Sequence, residues 1–440
     1  MFKTIRNAMK TPEVRKKILY TLLLIVVFRF GCFITVPGVD TFTLREEMNS
    51  ATNNLVELID TISGGAFSRL SIFAMSITPY ITAQIVIQLL SMVIPSLERL
   101  VKEGGEEGKA KVNLYQKWLT LVLSMIEALG IFFSYKSSGI FIETGFLGGL
   151  LTVVSLVTGT AALIWLGEQM TNKGIENGIS LIIFVGIVSG LPNTVTSVWN
   201  LIFGSGTFST VGLIEALGLI IGLVALVAAV VYIELAERRI PVQYAKKVVG
   251  RKMVGAQNTH IPLKLAMAGV MPIIFASSFM TFPAMIIQIF NKEIATQTGF
   301  WAGVYKFSLA TSSASVGIGY TIANAIVYLL LILGFTYFYT YAMFNPAEIS
   351  GSIKRNGGFI PGIRAGKPTT DYLASVISKL SFVGGLFLAI IAILPMLIRF
   401  TNINLAFGGT SILILVGVAL EMIRQLESQL VTRHYKGFLD

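Results

Sequence analysis

The chain has 440 residues, 54% of them hydrophobic and only 13% charged, with a mean hydropathy of +0.75 and a formal net charge of +11. A soluble chain carries about 25% charged residues, so this composition excludes a soluble enzyme, a disordered chain and a single-span receptor, and specifies an integral membrane protein. The one cysteine, Cys32, lies in an apolar segment, which excludes an internal disulfide and a CxxC metal or redox site.

The first segment, MFKTIRNAMKTPEVRKK, is polar and basic and reads as a cytosolic arm over 1–17. The apolar run behind it is too long for a signal-peptide core and lacks a small-residue cleavage pattern, so it reads as a retained first span. Apolar windows then fall at about 18–36, 70–94, 118–134, 149–167, 178–191, 211–233, 265–290, 316–344, 373–398 and 406–423. At ~20 residues per crossing these are ten expected spans of an all-α membrane protein, with both termini on one side. With the N-terminus inside, 26 of the 34 Lys and Arg fall in the proposed cytosolic segments, which sets the orientation.

Ahead of the second span lies a glycine-punctuated stretch, Ser63, Gly64, Gly65, Ala66, Phe67, Ser68, Arg69 and Leu70. It is too short and too polar to cross alone, and reads either as a half-helical piece sheltered inside the protein or as an ordinary outer loop. Within the second span, Ile77, Ile81, Gln84, Gln88 and Ser91 recur at spacings of four and three and share one helical face. At 1.5 Å per residue, Ile77 and Ile81 fall near the bilayer midplane. A face that is polar toward the cytosol and apolar at mid-depth suits a wet vestibule ending in a hydrophobic constriction; it also suits helix packing with a few interhelical hydrogen bonds.

Reactive chemistry is missing from the spans. The only aspartates are Asp40, Asp60, Asp371 and Asp440, the only histidines His260 and His434, and all six sit in loops or at span edges. There is no GxxxxGK[ST] phosphate loop, so whatever moves through this protein is driven by a gradient or by a separate motor. A coupled transporter keeps carboxylates near its centre; here the mid-span acid is Glu127 alone, with Glu215 and Glu421 nearer span ends.

Two cytosolic loops carry the remaining signal. The loop after span six holds Arg238, Arg239, Lys246, Lys247, Arg251 and Lys252, interleaved with Val and Tyr, and reads as a docking surface for RNA phosphate or an acidic protein. The loop after span eight presents Arg364 within Gly362-Ile363-Arg364-Ala365-Gly366, a rigid turn. Either loop also fits a positive-inside anchor touching lipid headgroups.

Long stretches are diagnostic: SGGAFSRLSIFAMSITPYITAQIVIQLL from Ser63, VSLVTGTAALIWLGEQMTNKGIENGISLIIFVGIVSGLP from Val154, AQNTHIPLKLAMAGVMPIIFASS from Ala256, FNPAEISGSIKRNGGFIPGIRAGKPT from Phe344 and FGGTSILI from Phe407. In these, and in order along nearly the whole chain, the sequence resembles the SecY/Sec61-alpha family of protein-conducting channel subunits. The resemblance implies two inverted five-helix halves, 18–200 and 201–425, around an hourglass pore, with cytosolic loops 234–264 and 345–370 and a tail at 426–440. It implies a pore ring of Ile77, Ile81, Ile179, Ile183, Ile274 and Ile414, and a short plug half-helix at 62–72. Gln84, Gln88 and Ser91 would line the lateral gate or vestibule, the gate lying between spans two and three and spans seven and eight. The basic loops, Arg364 above all, would dock the SecA ATPase or the ribosome.

Further implied partners are the SecE and SecG small membrane subunits, signal sequences, nascent or preprotein chains and membrane lipids, at the plasma membrane with both termini cytoplasmic. No catalytic residue, metal or cofactor is expected. The competing reading is a secondary transporter of a small solute, supported by interrupted spans and Glu127. Glu127 also marks a departure from some relatives, standing where the resemblance would make a neutral polar residue unsurprising.

Overall fold

The computed structural model describes residues 6, 8–50, 60, 63–204, 210–244, 247–249, 252–254, 258–290, 299–310, 317–398 and 409–436. Each of the ten apolar windows contains a helix. In the first half these are α1 (Pro12–Gly31), α3 (Thr78–Val93), α5 (Gly105–Tyr135), α6 (Phe146–Lys173) and α7 (Gly178–Ser189), with α2 (Thr41–Ser50), α4 (Pro95–Lys102) and α8 (Leu191–Phe203) between or after them. The second half continues with α9 (Thr210–Leu235), α10 (Met271–Phe290), α11 (Phe300–Leu309), α12 (Ile318–Met343), α13 (Pro346–Arg355), α14 (Lys367–Ile398) and α15 (Gly409–Lys436).

Among the described residues five helices are long and apolar enough to cross a bilayer by themselves, six if α3 and α4 form one bent span. The other windows fall short for visible reasons. The chain bends by 107° between α3 and α4, because Ile94 is extended ahead of Pro95 and a residue before proline avoids the α region. Helix α7 has only 12 residues and gives way at Gly190 to α8, which starts on Leu191 and Pro192.

The helices pack into two groups that meet along two seams. Helix α6 packs on α1, α5 and α7, and α14 packs on α12, α13 and α15. Along one seam α15 lies against α1 and α7; along the other α10 lies against α3 and α5. The largest apolar cluster bridges the seams, drawing Phe28 from α1, Ile81 from α3, Ile183 from α7, Phe275 from α10, Tyr328 from α12, Leu388 from α14 and Leu413 from α15.

One expectation is corrected. The stretch expected as a short half-helix is helical at Ser63 and then runs in turns through Leu70. Gly64 and Gly65 adopt φ of +70° and +83°, the left-handed conformation that ends helices. Beyond them the backbone pairs elsewhere: Val36 N–H donates to Leu70 O and Ile72 N–H to Ile34 O, both at 2.9 Å. At the other end of the chain, helix α15 runs on through 426 to Lys436.

Besides the helices, two small sheets stand at one end of the bundle. Strands β1 (Glu237–Tyr244), β4 (Asn258–Lys264) and β5 (Gly358–Phe359) form an antiparallel sheet in the order β4-β1-β5, while β2 (Lys247–Val249) pairs with β3 (Lys252–Val254). Ile240 and Val242 of β1 alternate with exposed or half-exposed neighbours, the period-two signature of a half-buried strand.

Candidate functional site

Helix α3 begins at Ile77, its N-cap residue, and Ile81 N–H donates to Ile77 O at 3.0 Å, so these two side chains stand one turn apart. Helix α7 begins at Asn177, whose side chain accepts from Ile179 N–H at 3.1 Å. That cap starts the turn carrying Ile179 and Ile183. All six isoleucines expected to form a ring lie in the one large apolar cluster, with Ile77, Ile81 and Ile183 buried and Ile179, Ile274 and Ile414 half-buried against it.

Four of them, Ile81, Ile179, Ile183 and Ile274, line a cavity of about 380 Å³. The rest of its wall is mostly polar: Gln84, Asn113, Thr171, Asn172, Asn177 and Ser180 face it, with Tyr80 and Met271. Asn113 and Lys117 of α5 and Glu168, Thr171 and Asn172 of α6 contribute to this wall. The wall of this chamber thus combines amides and hydroxyls with four isoleucines from α3, α7 and α10.

Two charged residues reach the same wall. Lys117 Nζ of α5 lies 2.6 Å from Glu168 Oε1 of α6. In sequence 51 positions separate them and no motif joins them. Gln84 lines the cavity as expected. Gln88 and Ser91 are not among its lining residues; Ser91 Oγ instead donates to Gln88 O at 2.7 Å within α3. Glu127 lies on α5 and is not among the lining residues either.

Beyond the isoleucines, the turn from Ser63 to Leu70 is packed into the protein. Ser63, Gly64, Ala66, Phe67 and Leu70 are buried, Gly65 and Ser68 half-buried, and Arg69 is exposed with its guanidinium 4.2 Å from the centre of the Phe33 ring. Asp60 organises the turn: Ser68 N–H donates to its Oδ1 at 2.7 Å and Gly65 N–H to its backbone carbonyl at 2.9 Å.

The sheets join the two basic loops into one platform. Gln243 and Tyr244 of β1 pair with Phe359 and Gly358 of β5, over an apolar core of Ile240, Val242, Leu263, Ile353, Ile360 and Leu373. Arg238, Arg239 and Arg364 are exposed on it. Glu237 Oε1 engages Arg239 at 2.6 Å, and Thr369 Oγ1 donates to Arg364 O at 2.8 Å, fixing the turn that presents the arginine. Lys247 and Lys252 fall on β2 and β3; Lys246 and Arg251 lie outside the described residues.

At the same end, the α6–α7 connection buries Glu176, 4% exposed, with Oε2 lacking a partner. Burial, reinforced by the nearby Glu421 carboxylate, pushes its carboxyl up to about 8. Arg424 of α15 donates from Nη2 to Glu234 O at 3.0 Å, joining α15 to α9 beside it.

A family model described as SecY matches residues 71–423. Among curated proteins the chain is 41% identical over 450 residues to the protein translocase subunit SecY of Bacillus subtilis (strain 168) and 40% identical over 454 residues to that of Streptomyces scabiei, each alignment covering 100% of both chains. A solved structure described as "The structure of a protein conducting channel" superposes with a TM-score of 0.64 at 22% identity, over 94% of this chain and 92% of the other. One described as "Sec61 in the Canine ribosome-channel complex from the endoplasmic reticulum" superposes with a TM-score of 0.62 at 21% identity, over the same shares.

Proposed function

The chain belongs to the SecY family, and from that premise we propose that it is the central subunit of a protein-conducting channel in the plasma membrane. It passes unfolded secretory proteins across the bilayer and releases transmembrane segments sideways into lipid. The observation that carries this reading is the polar chamber whose wall includes aliphatic side chains from three helices, Ile81, Ile179, Ile183 and Ile274. A waist made only of hydrocarbon adapts to any passing side chain and leaves ions no ligand. The buried turn at Ser63–Leu70 serves as the plug of the resting state.

Lateral release takes place at the seam where α10 packs on α3 and α5. The pore is passive: a ribosome or the SecA ATPase supplies the work, docking on the platform of Arg238, Arg239 and Arg364 and the neighbouring Lys246, Lys247, Arg251 and Lys252. SecE and SecG complete the membrane complex, and both termini lie in the cytoplasm. The chain itself catalyses no reaction.

A secretory chain arrested in transit tests this reading. A photoprobe replacing Ile81 should crosslink to it, and a probe on the exposed Leu23 of α1 should not. Equal labelling at both positions, or solute uptake into vesicles that disappears in Glu127→Gln, would replace the channel with a transporter.

A further inference from the structure

The molecule carries a net charge of +11, yet its central cavity carries none. Among the described residues lining it, Lys117 and Glu168 are the only charged ones, and they neutralise one another at 2.6 Å. Every other polar group on that wall is an amide or a hydroxyl. The side chains of Lys117 and Glu168 are 41% and 36% exposed, and a pair so open to solvent adds little to stability. Its effect on the chamber is larger. A space of about 380 Å³ is roughly 9 Å across, comparable with the Debye length of about 8 Å at physiological ionic strength, so salt screens a wall charge only in part over that distance. A lone charge on the wall would therefore reach anything in the chamber.

We propose that the Lys117–Glu168 pair sets the charge indifference of the vestibule, so that acidic and basic stretches of a passing chain meet the same field. The proposal rests on the channel reading above. Each charge is needed to cancel the other. Lys117→Gln leaves a net carboxylate and should favour cations and basic segments; Glu168→Gln leaves an ammonium and should favour anions and acidic segments. The double neutral variant and the exchanged pair, Lys117→Glu with Glu168→Lys, both restore a net charge of zero on the wall.

The test uses the channel complex, full chain with its partner subunits, in planar bilayers under a KCl gradient and held open by a synthetic signal peptide. The two single variants should shift the cation-to-anion permeability ratio in opposite directions, each by about two- to five-fold. The double neutral and the exchanged variants should return it to the wild-type value. In export assays, a preprotein with an acidic cluster should slow in Lys117→Gln and one with a basic cluster in Glu168→Gln.

A pair that merely staples α5 to α6 would make both single variants behave alike and leave the double neutral variant at least as impaired. That pattern, or ratios unchanged from a conducting wild type, overturns the proposal alone. A wild-type complex that passes no current overturns the channel reading and this proposal with it.

Discussion

The Arg29 guanidinium donates from Nη1 to the Gly64 carbonyl oxygen across 2.8 Å, tying α1 to the turn that follows Ser63. The turn is wedged as well as tied, since a Cβ on Gly64 would stand 2.8 Å from both Arg29 Nη1 and Ser189 Oγ of α7. A hydrogen bond from a charged donor in such a place contributes about 1.5–3 kcal/mol. Arg29→Met should loosen the turn and raise the resting ion conductance of the channel several-fold while leaving signal-dependent export intact. A cysteine placed at Ser68 should become quicker to react with an impermeant thiol reagent from outside. An unchanged leak together with unchanged labelling would show that this bond does not hold the turn in place.

The isoleucines of the chamber wall make a separate prediction. Removing an isoleucine side chain from a dry contact forfeits about 1.5–3 kcal/mol of apolar preference, and a hydroxyl or amide in its place gives water a partner. Ile81→Ser and Ile274→Asn should each raise resting ion leak about tenfold and relax signal-sequence selectivity, so that preproteins with weakened signals are exported. Ile81→Leu, which keeps the hydrocarbon, should do neither. Single-channel recording checks the first effect and an export assay the second.

Much of this molecule was legible before its structure, for reasons that can be located. Ten helices fall in ten apolar windows, because the thickness of a bilayer imposes a length that a hydropathy window detects. The i, i+4 isoleucines of α3 and α7 were readable because helical spacing is local. The sheet was partly readable: Ile240, Val242 and Tyr244 alternate, but the run is short and Pro241 interrupts it. Strand β5 has two residues and pairs with β1 more than a hundred positions away, so no local pattern could reveal it. The glycine pair at Gly64 and Gly65 is compatible with a half-helix or a loop in sequence, and only its φ angles of +70° and +83° decide for a turn. Lys117 and Glu168 meet only through the packing of α5 on α6, a tertiary fact without a sequence period.

Glu176 ties stability to pH. In the folded protein its carboxyl is pushed up to about 8 by burial and by Glu421, whereas an unfolded glutamate titrates near 4.3. Between these values the folded state holds a proton that the unfolded state has lost, so stability falls as pH rises through that window, by at most about 1.4 kcal/mol per pH unit. Glu176→Gln removes the titrating group. Thermal unfolding of the purified complex should then be less sensitive to pH between about 5 and 8, with the variant gaining most over wild type at the alkaline end. Parallel melting curves for the two proteins across that range would assign the pH dependence elsewhere.

Close packing of α6 on the segment before α3 rests on one missing side chain. A Cβ on Gly159 would collide with the backbone carbonyl of Ile72, and backbone cannot rotate aside as a side chain can. Gly159→Val should therefore push the 71–77 segment away from α6, costing about 1–3 kcal/mol. Because this segment leads directly into Ile77 and Ile81, the variant should also leak ions at rest. Gly334→Ala, at a site with open space around the added methyl, is the matched control and should do neither.

The platform makes the last prediction, because its arginines are not equivalent. Arg239 is held by the Glu237 carboxylate through Nε at 2.7 Å and Nη2 at 2.6 Å, so part of its field is already cancelled. Arg364 stands exposed on a turn braced by Thr369 and by Ser350, whose Oγ donates to Gly366 O at 3.0 Å. An acidic or phosphate-bearing partner gains more from Arg364, since its charge is presented on a rigid mount and little ordering is left to be done on binding. Arg364→Glu should block motor-driven export by about a hundredfold or more while largely sparing insertion of membrane proteins, and Arg239→Gln should cost no more than a few-fold. Arg364→Lys separates charge from geometry: it keeps the former and loses the planar fork, so an intermediate export rate marks a partner recognised through paired hydrogen bonds. Export measured in cells depleted of the native channel subunit distinguishes these cases, and normal secretion in Arg364→Glu would remove the residue from any docking role.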